Sequence, residues 1–198
     1  ALGKPTLLDV RSDLERILDS LQDEYGLDKL EIEYEVLKNL PNILRHANWD
    51  ITVTLWNDHK IIAVEKGDTS NRVLGLAVDI GTSKIVGNVV DLTTGRTIGV
   101  GSIENPQVIY GEDVMSRIAF ATVGEEKLGT LQRLASEGIN NVVHDACAQA
   151  GVDSHNIYEA TIAGNTAMHH FFLGIQPKYV ALAPFTPAVR GSMDVKAN

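Results

Sequence analysis

The sequence predicts a mixed α/β protein built in two parts. Gly67 to Arg72 (Gly-Asp-Thr-Ser-Asn-Arg) carries no apolar side chain. That stretch marks the expected boundary between a small α/β unit at residues 1–72 and a larger one at 73–198. Ahead of it, two β-rich runs are joined by a short polar connection. Beyond it, strand-like and helix-like segments follow in the order β-β-β-α-α-β-α, a pattern of mixed sheet and covering helices.

The elements follow in order. Ser12-Asp13-Leu14-Glu15 has capping-box spacing, in which the Ser12 hydroxyl accepts from the Glu15 amide and the Glu15 carboxylate reaches back to that of Ser12. A helix is expected over 12–25, with Leu14, Ile17, Leu18, Leu21 and Tyr25 at helical spacing and Gly26 as its left-handed end. Leu30 to Tyr34 alternates as a short strand. Val36 to His46 reads as one or two helical turns interrupted at Pro41. Ile51–Trp56 and Lys60–Glu65 are strands joined by the three-residue connection Asn57-Asp58-His59.

In the larger part, Val73–Ile80, Lys84–Asp91 and Thr97–Ile103 form an antiparallel meander. Asp113–Ala121 and Glu125–Ala150 are helical. The second carries Leu128, Leu131, Leu134, Ile139, Val142, Val143 and Ala146 toward a core, with Gly138 as a flaw in its middle and Gly151 as its end. Ile157–Ala163 reads as a buried strand and Asn165–Leu173 as a short helix before the proline-rich stretch from Pro177 to Pro187.

Composition narrows the function. A formal charge of −9 argues against a nucleic-acid surface. A single cysteine, Cys147, leaves no intrachain disulfide and no cysteine-ligated cluster or multi-thiolate zinc site within these residues. Apolar runs such as Ile61–Val64 fall far short of the roughly 20 residues that span a bilayer, so no membrane segment is expected. The opening Ala1-Leu2-Gly3-Lys4-Pro5 shows neither an initiator Met nor a signal peptide. The expectation is an excised piece of a cytoplasmic protein.

The sharpest motif is Gly75-Leu76-Ala77-Val78-Asp79-Ile80-Gly81-Thr82-Ser83-Lys84. A tight glycine-containing turn between two strands exposes consecutive amides that can cradle a phosphate, and Thr82 and Ser83 add hydroxyl donors. Asp79 would sit beside that phosphate and could hold Mg²⁺ through water, since Mg²⁺ prefers oxygen ligands and keeps several of its waters. The plainer alternative is a hairpin in which Asp79 and Thr82 only satisfy turn amides.

The motif resembles the first phosphate loop of the actin, sugar-kinase and heat-shock ATPase superfamily, and the order of elements over residues 73–170 agrees with it, including the Gly164-Asn165-Thr166 turn. The resemblance implies a ribonuclease H-like first lobe of an actin-like ATPase fold at 73–198, with the second lobe absent, preceded by the small α/β unit. Gly81, Thr82, Ser83, Lys84, Gly164, Asn165 and Thr166 would then bind nucleotide, and Asp79 and Asp113 would be the catalytic carboxylates.

Four further stretches narrow the family. Ser102–Gln107, Tyr110–Ile118, Ala163–His170 and Ala183–Pro187 together look like the reductive activators of corrinoid proteins. That resemblance implies a cytoplasmic protein with a ferredoxin-like [2Fe-2S] domain, a linker and an ATPase domain. Using ATP and Mg²⁺, it would return a Co(II) corrinoid in a methyl-transfer protein to Co(I), and the resemblance is compatible with a homodimer. Lys84 departs from the small hydroxyl residue expected at its position. Asp-Ile-Gly-Thr-Ser-Lys is also similar to the actin-like cell-division proteins, so an ATP-binding scaffold is the leading rival. A small-molecule kinase of the same superfamily is the third reading.

Other candidates carry simpler readings. Glu112 and Asp113 could face a cleft near the γ-phosphate, but a helix cap explains Asp113 as well. Asn165-Thr166 is likewise either a phosphate-facing turn or a cap. His144 and Cys147 share a helix face, yet two ligands make no recognised zinc site, and both are expected in the core. His169 and His170 point about 100° apart and cannot chelate together; a satisfied polar role is expected. Tyr34, Trp49 and Trp56 are expected mainly in the core of the small unit.

Overall fold

A computed structural model of the chain describes residues 2–196. It divides into two compact units, 1–73 and 74–198, and both are mixed α/β.

The first unit begins with helix α1 (Asp13–Tyr25). Ser12 Oγ accepts from the Glu15 amide at 3.2 Å, Glu15 Oε2 accepts from the Ser12 amide at 2.6 Å, and Gly26 closes the helix at φ 70°. Strand β1 is reduced to Glu31–Ile32, and helix α2 spans Tyr34–His46. The expected interruption at Pro41 does not occur, because tertiary burial outweighs the lost amide donor. Leu40 and Leu44 are sealed against the sheet at 0% exposure, and the Pro41 carbonyl accepts from Arg45 Nη1 at 2.9 Å.

Strands β2 (Ile51–Trp56) and β3 (Lys60–Lys66) pair antiparallel, and β1 adds parallel to β3, giving the order β1-β3-β2. Their connection places Asn57 and Asp58 both at φ 51°, a conformation these two residue types tolerate well. Ile17, Leu40, Leu44, Trp49, Ile61 and Val64 form the core. Trp49 is buried, with the guanidinium groups of Arg16 and Arg45 over its ring at 5.9 and 5.4 Å, whereas Tyr34 is exposed and lies outside the expected core.

The second unit carries β4 (Leu74–Ile80), β5 (Lys84–Asp91), β6 (Arg96–Glu104) and β7 (Ile157–Gly164) in the order β6-β5-β4-β7. The meander is antiparallel and β7 joins β4 parallel, the arrangement of a ribonuclease H-like lobe. The hairpin of the first unit forms its own sheet and does not extend this one. Helix α3 is Val114–Ala121, α4 Glu125–Ala150, α5 Thr166–Leu173 and α6 Lys178–Ala181.

Leu74, Leu76, Val78, Ile80, Ile85 and Val89 meet Leu128, Leu131, Ile139, Val142 and Ala146 of α4 in the core. The helix lies so close to β6 that a Cβ on Gly99 or Gly101 would collide with the carbonyls of Ala146 and Val142. Gly138 is not the flaw the sequence suggests. A Cβ there would come within 2.8 Å of Ile85 Cδ1 and 3.3 Å of Pro106, so the missing side chain is what seats this turn of α4. Strand β7 is also not buried as expected. It forms one edge of the sheet, and Glu159, Ala160, Thr161 and Ala163 are exposed.

One further expectation changes, and the satisfied polar role expected of His170 holds. Cys147 is buried, which pushes its thiol pKa up, but the neighbouring turn of α4 carries His144 into solvent, 3.3 Å from Asp145. His170 is fully buried and satisfied, with Nδ1 2.7 Å from the Thr166 carbonyl and Nε2 accepting from the Ala188 amide at 3.1 Å.

Candidate functional site: the turn between β4 and β5

Parallel pairing of β4 with β7 sets Asp79 beside Ala163 and Ile80 beside Gly164. The two strands therefore deliver their following turns, 81–83 and 164–166, to the same end of the sheet. Asn165 Nδ2 donates to Thr82 Oγ1 at 3.3 Å and joins them. The structure thus gathers Asp79, Gly81, Thr82, Ser83, Lys84, Gly164, Asn165 and Thr166 at one place.

The β4–β5 turn is held from below. Gly81 N–H donates to the Lys84 carbonyl at 2.8 Å. The Gly81 carbonyl accepts from Asn105 Nδ2 at 2.8 Å, the Thr82 carbonyl from Arg117 Nη2 at 2.7 Å, and the Ser83 carbonyl from the Asn105 amide at 2.8 Å. Across a trans peptide the carbonyl of one residue and the N–H of the next point in opposite directions. Fixing the carbonyls of Gly81 and Thr82 inward therefore turns the N–H groups of Thr82 and Ser83 outward. Neither amide has an acceptor among the described residues. Two adjacent outward donors form the kind of concavity that takes an anion.

The supports are themselves buried. Asn105 and Gln107 are at 0% exposure, the first capping and the second on the short 3-10 turn Pro106–Tyr110 that follows β6. Asn105 Oδ1 caps that turn at the Gln107 amide, and Gln107 Nε2 donates to the Leu131 carbonyl at 2.8 Å. Arg117, on α3, is at 0% exposure and also donates through Nε to the Gly111 carbonyl at 2.7 Å. Sequence reasoning did not single out Asn105 or Arg117 as site residues. Their only signal was polarity inside Ser102–Gln107 and Tyr110–Ile118, and nothing local says that side chains 24 and 35 residues away in sequence reach the turn.

Around the turn, Asp79 is exposed, and its carboxylate has no partner among the described residues. Ile80 and Ile85 point into the core, so Asp79 and Lys84 lie on the opposite face of the sheet, away from α4. Thr82 and Ser83 carry their hydroxyls at the turn itself. An unpartnered carboxylate beside two free amides and two hydroxyls suits a hydrated Mg²⁺ bound to phosphate. On the second turn, Asn165 Oδ1 accepts from the amides of Ala167 and Met168, both at 3.0 Å, so it caps α5 while its amide nitrogen reaches Thr82.

Asp113 stands apart from this arrangement. It caps α3, with Oδ1 accepting from the Ser116 amide at 2.9 Å and Oδ2 from the Ser116 hydroxyl at 2.8 Å. Those bonds hold its carboxyl below the ordinary carboxylate range. The hydrogen bonds that run from the turn through Arg117 end at the Gly111 carbonyl, short of Asp113. Glu112 is exposed next to Asp113.

Comparison with known proteins places the chain in a family. The model of the RACo linker region matches residues 1–71, and that of the RACo middle region matches residues 74–198. The corrinoid activation enzyme RamQ of Eubacterium limosum is 30% identical over 165 residues, which are 83% of this chain and 28% of that protein. A solved structure, a reductive activator for corrinoid, iron-sulfur protein, superposes with a TM-score of 0.78 at 38% identity, covering 94% of this chain and 30% of that one. The chain thus spans under a third of the length of either relative. With both of its units matched, it belongs to the RACo family, the reductive activators of corrinoid proteins.

Proposed function

We propose that this chain is the linker and first ATPase lobe of an ATP-dependent reductive activator, and that the β4–β5 turn is one of its nucleotide phosphate sites. The observation that carries this reading is the turn itself, whose carbonyls are fastened inward while the amides of Thr82 and Ser83 stay free beside the unpartnered Asp79. The RACo relatives supply the reaction class. In the whole protein, one electron from a [2Fe-2S] domain outside these residues would reduce the Co(II) corrinoid of a methyl-transfer protein to Co(I). Binding and hydrolysis of Mg·ATP would supply the free energy for that uphill transfer.

The chain's own residues bind and orient. Thr82 and Ser83 would hold phosphate oxygens through their amides and hydroxyls. Asp79 would hold Mg²⁺ through water, and Lys84, on the same sheet face, would add positive charge. Gly164, Asn165 and Thr166 would line the second side. Because Asn165 bridges to Thr82, a nucleotide drawing Thr82 toward itself also acts on the start of α5. That contact gives nucleotide state a direct route into the lobe, and coupling to a partner then requires only different affinity for the two states.

The test uses the full-length protein with its corrinoid partner, following Co(II) loss by visible absorption. D79A is expected to abolish ATP-dependent reduction while leaving the fold and the iron–sulfur spectrum unchanged. Undiminished ATP-dependent reduction by D79A would remove Asp79 from the site and sink the reading.

A further inference from the structure

The most completely buried charge in the second unit makes no ion pair. Arg117 is at 0% exposure. Its Nε donates to the Gly111 carbonyl and its Nη2 to the Thr82 carbonyl, each at 2.7 Å, while Nη1 lies 3.5 Å from Gln107 Oε1 and 3.7 Å from Met168 Sδ. All four acceptors are neutral. Among the described residues no carboxylate pairs with it, and Asp113, four residues earlier, acts on it only through space because both its oxygens are held by Ser116. The rest of the layer beneath the turn is Asn105, Gln107 and Met168, with no charge among them.

A guanidinium keeps its proton inside proteins, so this charge persists despite burial. Burying an unpaired cation is costly. A neutral donor would satisfy the Thr82 carbonyl without that cost, so the charge calls for an explanation of its own. On the far side of the same peptide lies the outward N–H of Ser83. The line of groups runs from guanidinium to Thr82 carbonyl, through the peptide, to Ser83 N–H and then to solvent. A cation on the carbonyl end polarises the peptide and strengthens its N–H as a donor to an anion.

We propose that Arg117 is a positioning residue of the phosphate turn. It fixes the peptide between Thr82 and Ser83 with the N–H outward, and it supplies from beneath the positive charge that the phosphates of a bound nucleotide neutralise. The inference deepens the phosphate-site reading of the turn and rests on it.

The test is titration calorimetry of the full-length protein with ATP and, separately, with adenosine, which lacks the charged groups. R117Q keeps a donor for Thr82 but removes the charge. It should weaken ATP binding about tenfold or more and leave adenosine within about twofold. R117K keeps the charge and should hold the ATP-to-adenosine ratio within about threefold of wild type. A ratio in R117Q equal to wild type overturns the proposal, as does a fall in R117K as deep as that in R117Q, which would assign the effect to the shape of the guanidinium alone.

If R117Q does not melt cooperatively, Q107E takes its place. It retains Arg117 with its acceptors at Gly111 and Thr82, gives up the Gln107 donor to the Leu131 carbonyl, and sets a carboxylate against Nη1. The same loss of ATP preference is expected, and an unchanged ratio overturns the proposal. A wild-type protein that binds ATP no better than adenosine would instead show that the turn is no phosphate site, a failure distinct from normal ATP preference in the variants.

Discussion

At the scale of single residues, protonation and capping make the sharpest tests. Asp113 accepts two hydrogen bonds from Ser116, which hold its carboxyl below its ordinary range in the folded chain. A carboxyl with a lowered folded pKa adds stability above its unfolded value of about 4, and that stability is lost as pH falls through the folded value. D113N keeps a good cap but cannot ionise. The melting temperature of wild type should therefore exceed that of D113N at neutral pH, and the gap should close in acid; a gap independent of pH would contradict the assignment. Because Ser116 holds both carboxylate oxygens, D113N in the full-length protein is expected to retain ATP turnover where D79A loses it. His170 offers a second test. Its Nε2 accepts from the Ala188 amide, so the ring proton must sit on Nδ1, facing the Thr166 carbonyl. Nitrogen chemical shifts of the imidazole should report the Nδ1–H form, and the Nε2–H form would disprove the contact.

At the scale of elements, close backbone approach and buried leucines decide what sequence patterns leave open. The capping box at Ser12 and Glu15 was legible because both partners lie within four residues. Gly99, Gly101 and Gly138 were not, because what they make room for, the carbonyls of α4 and the side chain of Ile85, lies far away in sequence. A methyl on Gly101 would meet a backbone carbonyl that no rotamer change can move aside. G101A should thus cost about 3 kcal/mol, at the upper end of overpacking penalties, read from the urea midpoint. Pro41 points the other way. It removes the amide that would bond the Leu37 carbonyl, and α2 persists because Leu40 and Leu44 are buried. P41A should lengthen no element but stabilise the first unit by about 1–3 kcal/mol. A destabilised P41A would mean that the ring itself packs in the native state.

At the scale of the whole chain, the site was legible only in part. The run Asp79-Ile80-Gly81-Thr82-Ser83 exposed the turn, and parallel pairing brought Asn165 to Thr82 as the order of elements suggested. The layer of Asn105, Gln107 and Arg117 that points the turn outward depends on tertiary contacts that no local spacing encodes. That layer also bounds what 198 residues can bind on their own. The free donors lie at one turn at the end of the sheet, where the part of a nucleotide they suit is its phosphate, and the chain spans under a third of the length of its relatives. If contacts to base, ribose and a second phosphate loop supply roughly 4 kcal/mol in the full-length protein, their loss weakens binding about a thousandfold, turning a micromolar site into a millimolar one. Calorimetry of the 198-residue chain with Mg·ATP should therefore show at most millimolar binding and no hydrolysis. Micromolar binding by this chain alone would mean that its two turns already form a complete site, and the division of the nucleotide between two lobes would be wrong.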